Sequence, residues 1–233
     1  MPEWVGPATL VLGGNFTLAN WIASWRGSLK VYYSTKPLVL LGLIIYFLLE
    51  GAFSPTRLPF LLGLIFSLLG DIFLIPRGTR WFITGMGAFS LAHVFYILGF
   101  NATLPRTPYL IIGIFGFLAG ILIIFLTIDR FAITSEVNKF LLPFFKGYGV
   151  LVLAMATSAL LCLARPGWSD LSAILAGIGG MLFFVSDLMI GLDKLDRRLP
   201  KYKFWIIFTY HIGQFLIVAA VLMLPNSIQI TIY

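Results

Sequence analysis

Apolar residues in this chain do not alternate with polar ones. They come in blocks of about 18 to 23 residues, separated by short joints where Gly, Pro and charge collect. The blocks lie at roughly 5–24, 34–53, 58–75, 81–100, 108–128, 141–163, 170–190 and 203–224. At about 1.5 Å per residue each is long enough for a helix to cross a hydrocarbon core of ~30 Å. Barrel strands would give weaker, alternating patterns of ~10 residues. The joints carry Gly27, Pro55, Pro59, Pro76, Gly78, Pro105, Pro108, Pro166, Gly167 and Pro200, and the block ends carry Trp4, Trp25, Trp81, Trp168 and Trp205 with Tyr32, Tyr33 and Tyr202. Such rings suit the headgroup zone. The pattern predicts an all-α, polytopic membrane helix bundle of eight transmembrane helices, forming a single domain over residues 1–233.

Polar positions inside the blocks stand out because each would cost free energy against lipid. Asp71 ends the run LLGLIFSLLGD, and Asp187 sits in GGMLFFVSDLMIG. Helical spacing puts Gly63, Ser67 and Asp71 on one stripe of the third block, and Gly85, Phe89, His93 and Tyr96 on one stripe of the fourth. Gly13, Thr17 and Asn20 share a stripe in the first block, while Ile207, Tyr210, His211 and Gln214 cluster in the eighth. These faces are expected to point into the bundle. For Asn15, Asn20, Ser67 and Gln214 interhelical hydrogen bonding is a sufficient role. Intramembrane acids instead point to function.

Charge sets the orientation. Arg57, Arg106 and Arg165 fall in one set of joints. The alternate joints hold Arg26, Lys30, Arg77, Arg80, Arg130, Lys139, Lys194, Arg197, Arg198, Lys201 and Lys203. By the positive-inside rule the richer set is cytoplasmic and both termini are outside. Asp71, Asp187, Lys36 and Lys146 then share one layer in the cytoplasmic third, which places a candidate site toward the cytoplasmic leaflet. Gly63 and Asp71 match Gly179 and Asp187 at an offset of 116, and Lys36 matches Lys146 at 110. Two parallel four-helix repeats, with halves 1–105 and 106–233, would produce this spacing; so would chance likeness between apolar helices.

The composition agrees, with 60% hydrophobic and 11% charged residues and a mean hydropathy of +0.99, against roughly 45–50% apolar in ordinary globular domains. The net charge of +7 invites a nucleic-acid reading. Because the basic residues sit in short joints rather than in a basic domain, topology and anionic headgroups explain it, and no nucleic-acid partner is expected. The run DKLDRRLPKYK before the last block suits headgroup attraction or substrate contact equally. MPEWVGPATL lacks a basic n-region and a small-residue cleavage site, so the first helix is expected to be retained. The lone Cys162 precludes an intrachain disulfide and reads as packing.

His93 and His211 stand on different helices with no HExxH spacing, there is no cysteine cluster, and no GxSxG elbow or phosphate loop occurs. No metal or cofactor is expected. What is left is acid–base chemistry on a lipid, centred on two carboxylates.

Several strings in order resemble the YhhN/TMEM86 family of membrane proteins, whose characterised members are lysoplasmalogenases: TKP at 35–37, FSLLGD ending at Asp71, GMGAFSLAHVFYI at 85–97, Tyr148 with Met155, LFFVSD ending at Asp187, and YHIGQFLI at 210–217. The family pattern often has a second aromatic residue at the position of His211. The resemblance implies hydrolysis of the vinyl ether bond of a lysoplasmalogen, a lysophospholipid, to a fatty aldehyde and glycerophosphoethanolamine or glycerophosphocholine. Vinyl ethers open when an acid protonates the β-carbon, and a second carboxylate can steady the cation or activate water. On that reading Asp71 and Asp187 are catalytic. Lys36 and Lys146 hold the phosphate or an ionised Asp, His93 and Tyr96 orient water or the glycerol hydroxyl, and Tyr148, Tyr210, Gln214 and Asn20 complete the substrate site. Two other readings share the acids. An aspartyl intramembrane protease would carry GxGD, but Leu68 stands where its first Gly belongs and no PAL motif follows. A transporter or lipid-binding protein without hydrolytic activity would use the same charged layer.

Overall fold

The structure, a computed structural model, describes residues 5–133, 141–195 and 200–225. Among these residues it is helical throughout: α1 (Val5–Arg26), α2 (Leu29–Leu49), α3 (Leu58–Phe73), α4 (Thr79–Phe100), α5 (Thr107–Ala132), α6 (Leu142–Leu160), α7 (Asp170–Lys194) and α8 (Tyr202–Leu222). A 3-10 turn, Leu161–Ala164, extends α6. Helices are the solution for apolar chain in lipid because every backbone group is satisfied within its own segment. Six of the helices are long and apolar enough to cross a membrane, and the protein is a multi-pass membrane protein. Lys139, Arg197 and Arg198, which entered the charge count, lie outside the described residues.

The largest shift from the sequence reading is at α2, which starts at Leu29 rather than 34 and carries Pro37 inside the helix. A helix-interior proline withdraws the N–H that the carbonyl four residues earlier would accept. Beside this break, the Asn20 amide on α1 donates to the Tyr32 carbonyl at 2.8 Å and to the Thr35 hydroxyl at 2.9 Å. The neighbouring helix thus braces the segment, and TKP lies within the helix instead of opening it.

Helices α3 and α4 pack as one close pair and α7 and α8 as another; α1 pairs with α2, and α6 lies between α5, α4 and α7. Small residues set these distances. A Cβ on Gly63 would lie 2.4 Å from the Tyr96 ring, and one on Gly179 would lie 2.9 Å from the Gly213 carbonyl oxygen. The α5 helix packs mainly on α6 and has only 6% of its apolar window buried, so nearly all of its surface is available to lipid. The core consists of Phe47, Phe60, Phe100, Phe183, Leu40, Leu64 and Met155, with Tyr96, His93 and His211 as deeply buried as the aliphatics.

Candidate functional site

Asp187 is 18 residues into α7, where helical spacing aims it at α4 and α6. His93 on α4 donates through Nε2 to its Oδ2 at 2.9 Å, and the Tyr148 hydroxyl on α6 donates to the same oxygen at 3.0 Å. The two donors are themselves 3.3 Å apart. Among the described residues no hydrogen bond falls on Oδ1. His93 is fully buried, and its Nδ1 has no partner among the described residues.

Asp71 forms a separate cluster. Lys36 of α2 pairs with its Oδ1 at 3.0 Å, and the Tyr210 hydroxyl of α8 donates to its Oδ2 at 3.1 Å. A third chain of polar contacts ties α4, α8 and α3: Tyr96 donates to Gln214 Oε1 at 2.6 Å, and Gln214 Nε2 donates to Ser67 Oγ at 3.1 Å. Between the two acid clusters stands Phe183, its ring 4.8 Å from that of His93 and 5.2 Å from that of Tyr210. Phe89 packs against both Phe183 and Tyr210.

The Asp187 cluster borders open space. A cavity of about 340 Å³ runs between α4, α5, α6 and α7, with walls including Phe82, Met86, Ile124, Val152 and Leu188. Asp187, Tyr148 and Thr127 are the polar side chains in that lining, and Asp71 is absent from it. A second groove on the α4–α6 face also reaches Tyr148. An apolar cleft with a few convergent polar groups is the usual form of a site for a hydrophobic ligand.

The other expected site residues divide accordingly. Lys36, Tyr210, Tyr96, Gln214 and Asn20 line neither opening; each bonds to a neighbouring helix, Asn20 through its Nδ2 only. Lys146 does not join either acid. Its ammonium pairs with Asp129 of α5 at 2.6 Å and sits over the Phe125 ring. Tyr148, two positions along α6, faces Asp187, and two helical positions are about 200° apart, so Lys146 must face elsewhere. A shared layer along the chain does not fix azimuth. Among the described residues His211, against Trp21, has no partner for either ring nitrogen. The sequence reading did not place Lys194, whose ammonium lies 4.4 Å over Phe82 at the cavity wall.

Comparison with known proteins follows the same lines. No solved structure matches significantly. The chain is 31% identical over 169 residues to lysoplasmalogenase TMEM86A of Bos taurus and 29% identical over 170 residues to human lysoplasmalogenase TMEM86A, in each case covering 70% of this chain and 64% of the relative. Thus it spans somewhat under two thirds of those relatives. Mouse lysoplasmalogenase TMEM86B is 27% identical over 229 residues, 96% of this chain and 88% of its own length. Residues 31–221, from the first turn of α2 nearly to the end of α8, match the YhhN family, and the chain belongs to that family.

Proposed function

We propose that the protein is a hydrolase of the lysoplasmalogenase type, cleaving the vinyl ether of a single-chain lysophospholipid with Asp187 as the acid–base residue. The observation that carries this reading is the asymmetry of Asp187: among the described residues Oδ2 holds two donors and Oδ1 has none, beside an apolar cavity. The lysoplasmalogenase names of the relatives support the reaction class.

The reaction balances on this one carboxyl. Protonated Oδ1 transfers its proton to the vinyl β-carbon, the C=C π electrons form the new C–H bond, and the α-carbon becomes an oxocarbenium ion. The hydrogens from Tyr148 and His93 stabilise the negative charge left on the carboxylate. Water adds to the α-carbon and Asp187 takes its proton, giving a hemiacetal. Collapse of the hemiacetal releases a fatty aldehyde and the glycerol hydroxyl, and the proton is conserved. An acid step followed by a base step on one group parallels the double role of carboxyls in glycoside hydrolysis. Phe183 and Phe89, packed between Asp187 and the Asp71 cluster, favour this over two acids acting on one bond.

The test is aldehyde release from lysoplasmalogen by the purified, detergent-solubilised protein beside Asp187→Asn. Aldehyde from wild type and a loss of at least a hundredfold in a folded Asp187→Asn variant are expected. Folded wild type that leaves lysoplasmalogen and lysoacyl lipids intact, while moving lipid between leaflets of a vesicle, would replace hydrolysis by transport.

A further inference from the structure

The two acid clusters repeat one another in a way that neither helix pattern shows. Asp71 and Asp187 differ by 116 positions; their partners Tyr210 and His93 differ by 117. The first acid is on α3 and reaches α8, and the second is on α7 and reaches α4. If α1–α4 and α5–α8 are equivalent units, each acid on a third helix is bonded to the fourth helix of the other unit. Lys36 on α2 and Tyr148 on α6 complete the clusters from within each unit.

Two further sets of contacts follow the same rule. Arg57, in the joint before α3, donates to the carbonyls of Leu222 and Leu224 at the end of α8. Arg165, in the joint before α7, donates to the Asn101 side chain and the Thr103 carbonyl at the end of α4. Within the units, Gly63 meets Tyr96 and Gly179 meets Gly213, again at offsets of 116 and 117. Reciprocal exchange of equivalent contacts is the mark of a two-fold interface, and parallel repeats about an axis along the membrane normal are an established membrane architecture.

We infer that the protein is built of two four-helix units related by a pseudo-two-fold axis, and that Lys36–Asp71–Tyr210 is the counterpart of Tyr148–Asp187–His93, serving as a strut rather than as a second reaction centre. The strut is sealed: Asp71 is 1% exposed and lines neither cavity, its Oδ2 accepts from Tyr210, and its Oδ1 has the Lys36 ammonium as ion-pair partner. Asp71 is a positioning residue. It fixes Tyr210, whose ring packs on Phe183, which packs on His93, the donor to Asp187.

This assignment separates charge from chemistry. A buried ion pair is replaceable by an apolar pair of similar volume, whereas removing one partner strands the other charge. Asp71→Asn alone is expected to lower the unfolding temperature and to reduce kcat at least tenfold with KM little changed. The double variants Lys36→Met/Asp71→Leu and Lys36→Gln/Asp71→Asn are each expected to regain the unfolding temperature and to return kcat to within about threefold of wild type, with the pH profile of turnover unchanged. Asp187→Asn is expected to keep its unfolding temperature and lose turnover without rescue from any change at Tyr148. A folded double variant that stays inactive would make Asp71 a participant in the chemistry and overturn the strut, whereas failure of both double variants to fold would show that the charge pair is itself the structural element and uphold it. The turnover arm rests on the proposed hydrolysis, but the stability arm does not. A wild type without aldehyde release would remove the former and leave the rescue of the unfolding temperature to decide.

Discussion

Tyr148 and His93 converge on a single oxygen of Asp187, so each has a measurable share in holding that carboxyl. Tyr148→Phe removes one hydroxyl and nothing of the ring. A hydrogen bond to a charged group is worth about 1.5–3 kcal/mol, so kcat should fall roughly ten- to a hundredfold. The unfolding temperature should stay near wild type, because the ring's contacts remain; stopped assays of aldehyde release alongside thermal unfolding check both. Lys146 is the opposite case. Its partner Asp129 is more than half exposed, and pairs of that kind contribute ~0–1 kcal/mol. Lys146→Gln should leave turnover and stability nearly unchanged, although the sequence put that lysine in the same layer as the acids. Height along a helix follows from counting residues; the direction a side chain faces depends on which neighbour its helix meets.

At the scale of elements the glycines divide into two kinds. Gly63 is where α3 and α4 touch: a methyl there falls 2.4 Å from the Tyr96 ring. Gly63→Ala should destabilise the protein by roughly 1–3 kcal/mol, as overpacking does, and differential scanning fluorimetry would register it as a lower unfolding temperature. Gly191 is different. It lines the cavity one turn beyond Asp187, and a Cβ there meets nothing within 4 Å. Gly191→Leu should therefore keep the fold while occupying the cavity, raising KM for long-chain substrate at least tenfold. A variant that binds and turns over substrate normally would place the lipid chain elsewhere. The α2 helix shows where local signals mislead: the apolar block begins near 34, yet the helix starts at Leu29 and carries Pro37 inside it, braced by the Asn20 contacts from α1.

For the whole molecule, the Lys and Arg asymmetry sets the expected orientation. Single cysteines at Lys30 and Arg77 should be shielded from an impermeant thiol reagent in right-side-out vesicles, and one at Leu104 should react; the native Cys162 is buried and should give little background. The reverse labelling would invert the topology. Arg57 and Arg165, on the poorer side, are largely consumed in capping helix ends, so the free positive charge is more one-sided than the count of residues suggests.

The sequence by itself determined the helical class, the helix positions to within about five residues and most of the inward faces; Asn15, read as an interhelical contact, is exposed on α1 instead. Long apolar blocks have one low-energy form in lipid, and polar side chains in them must turn away from it. It also singled out both acids, as charges where charge is expensive. Only the tertiary structure decided their partners. The ring of Phe183 between the clusters, the pairing of Lys36 with Asp71 and of Lys146 with Asp129, and the opening of the cavity at Asp187 depend on which helices are neighbours and at what rotation. Those relations are set by long-range packing, which a residue's own helical period does not encode.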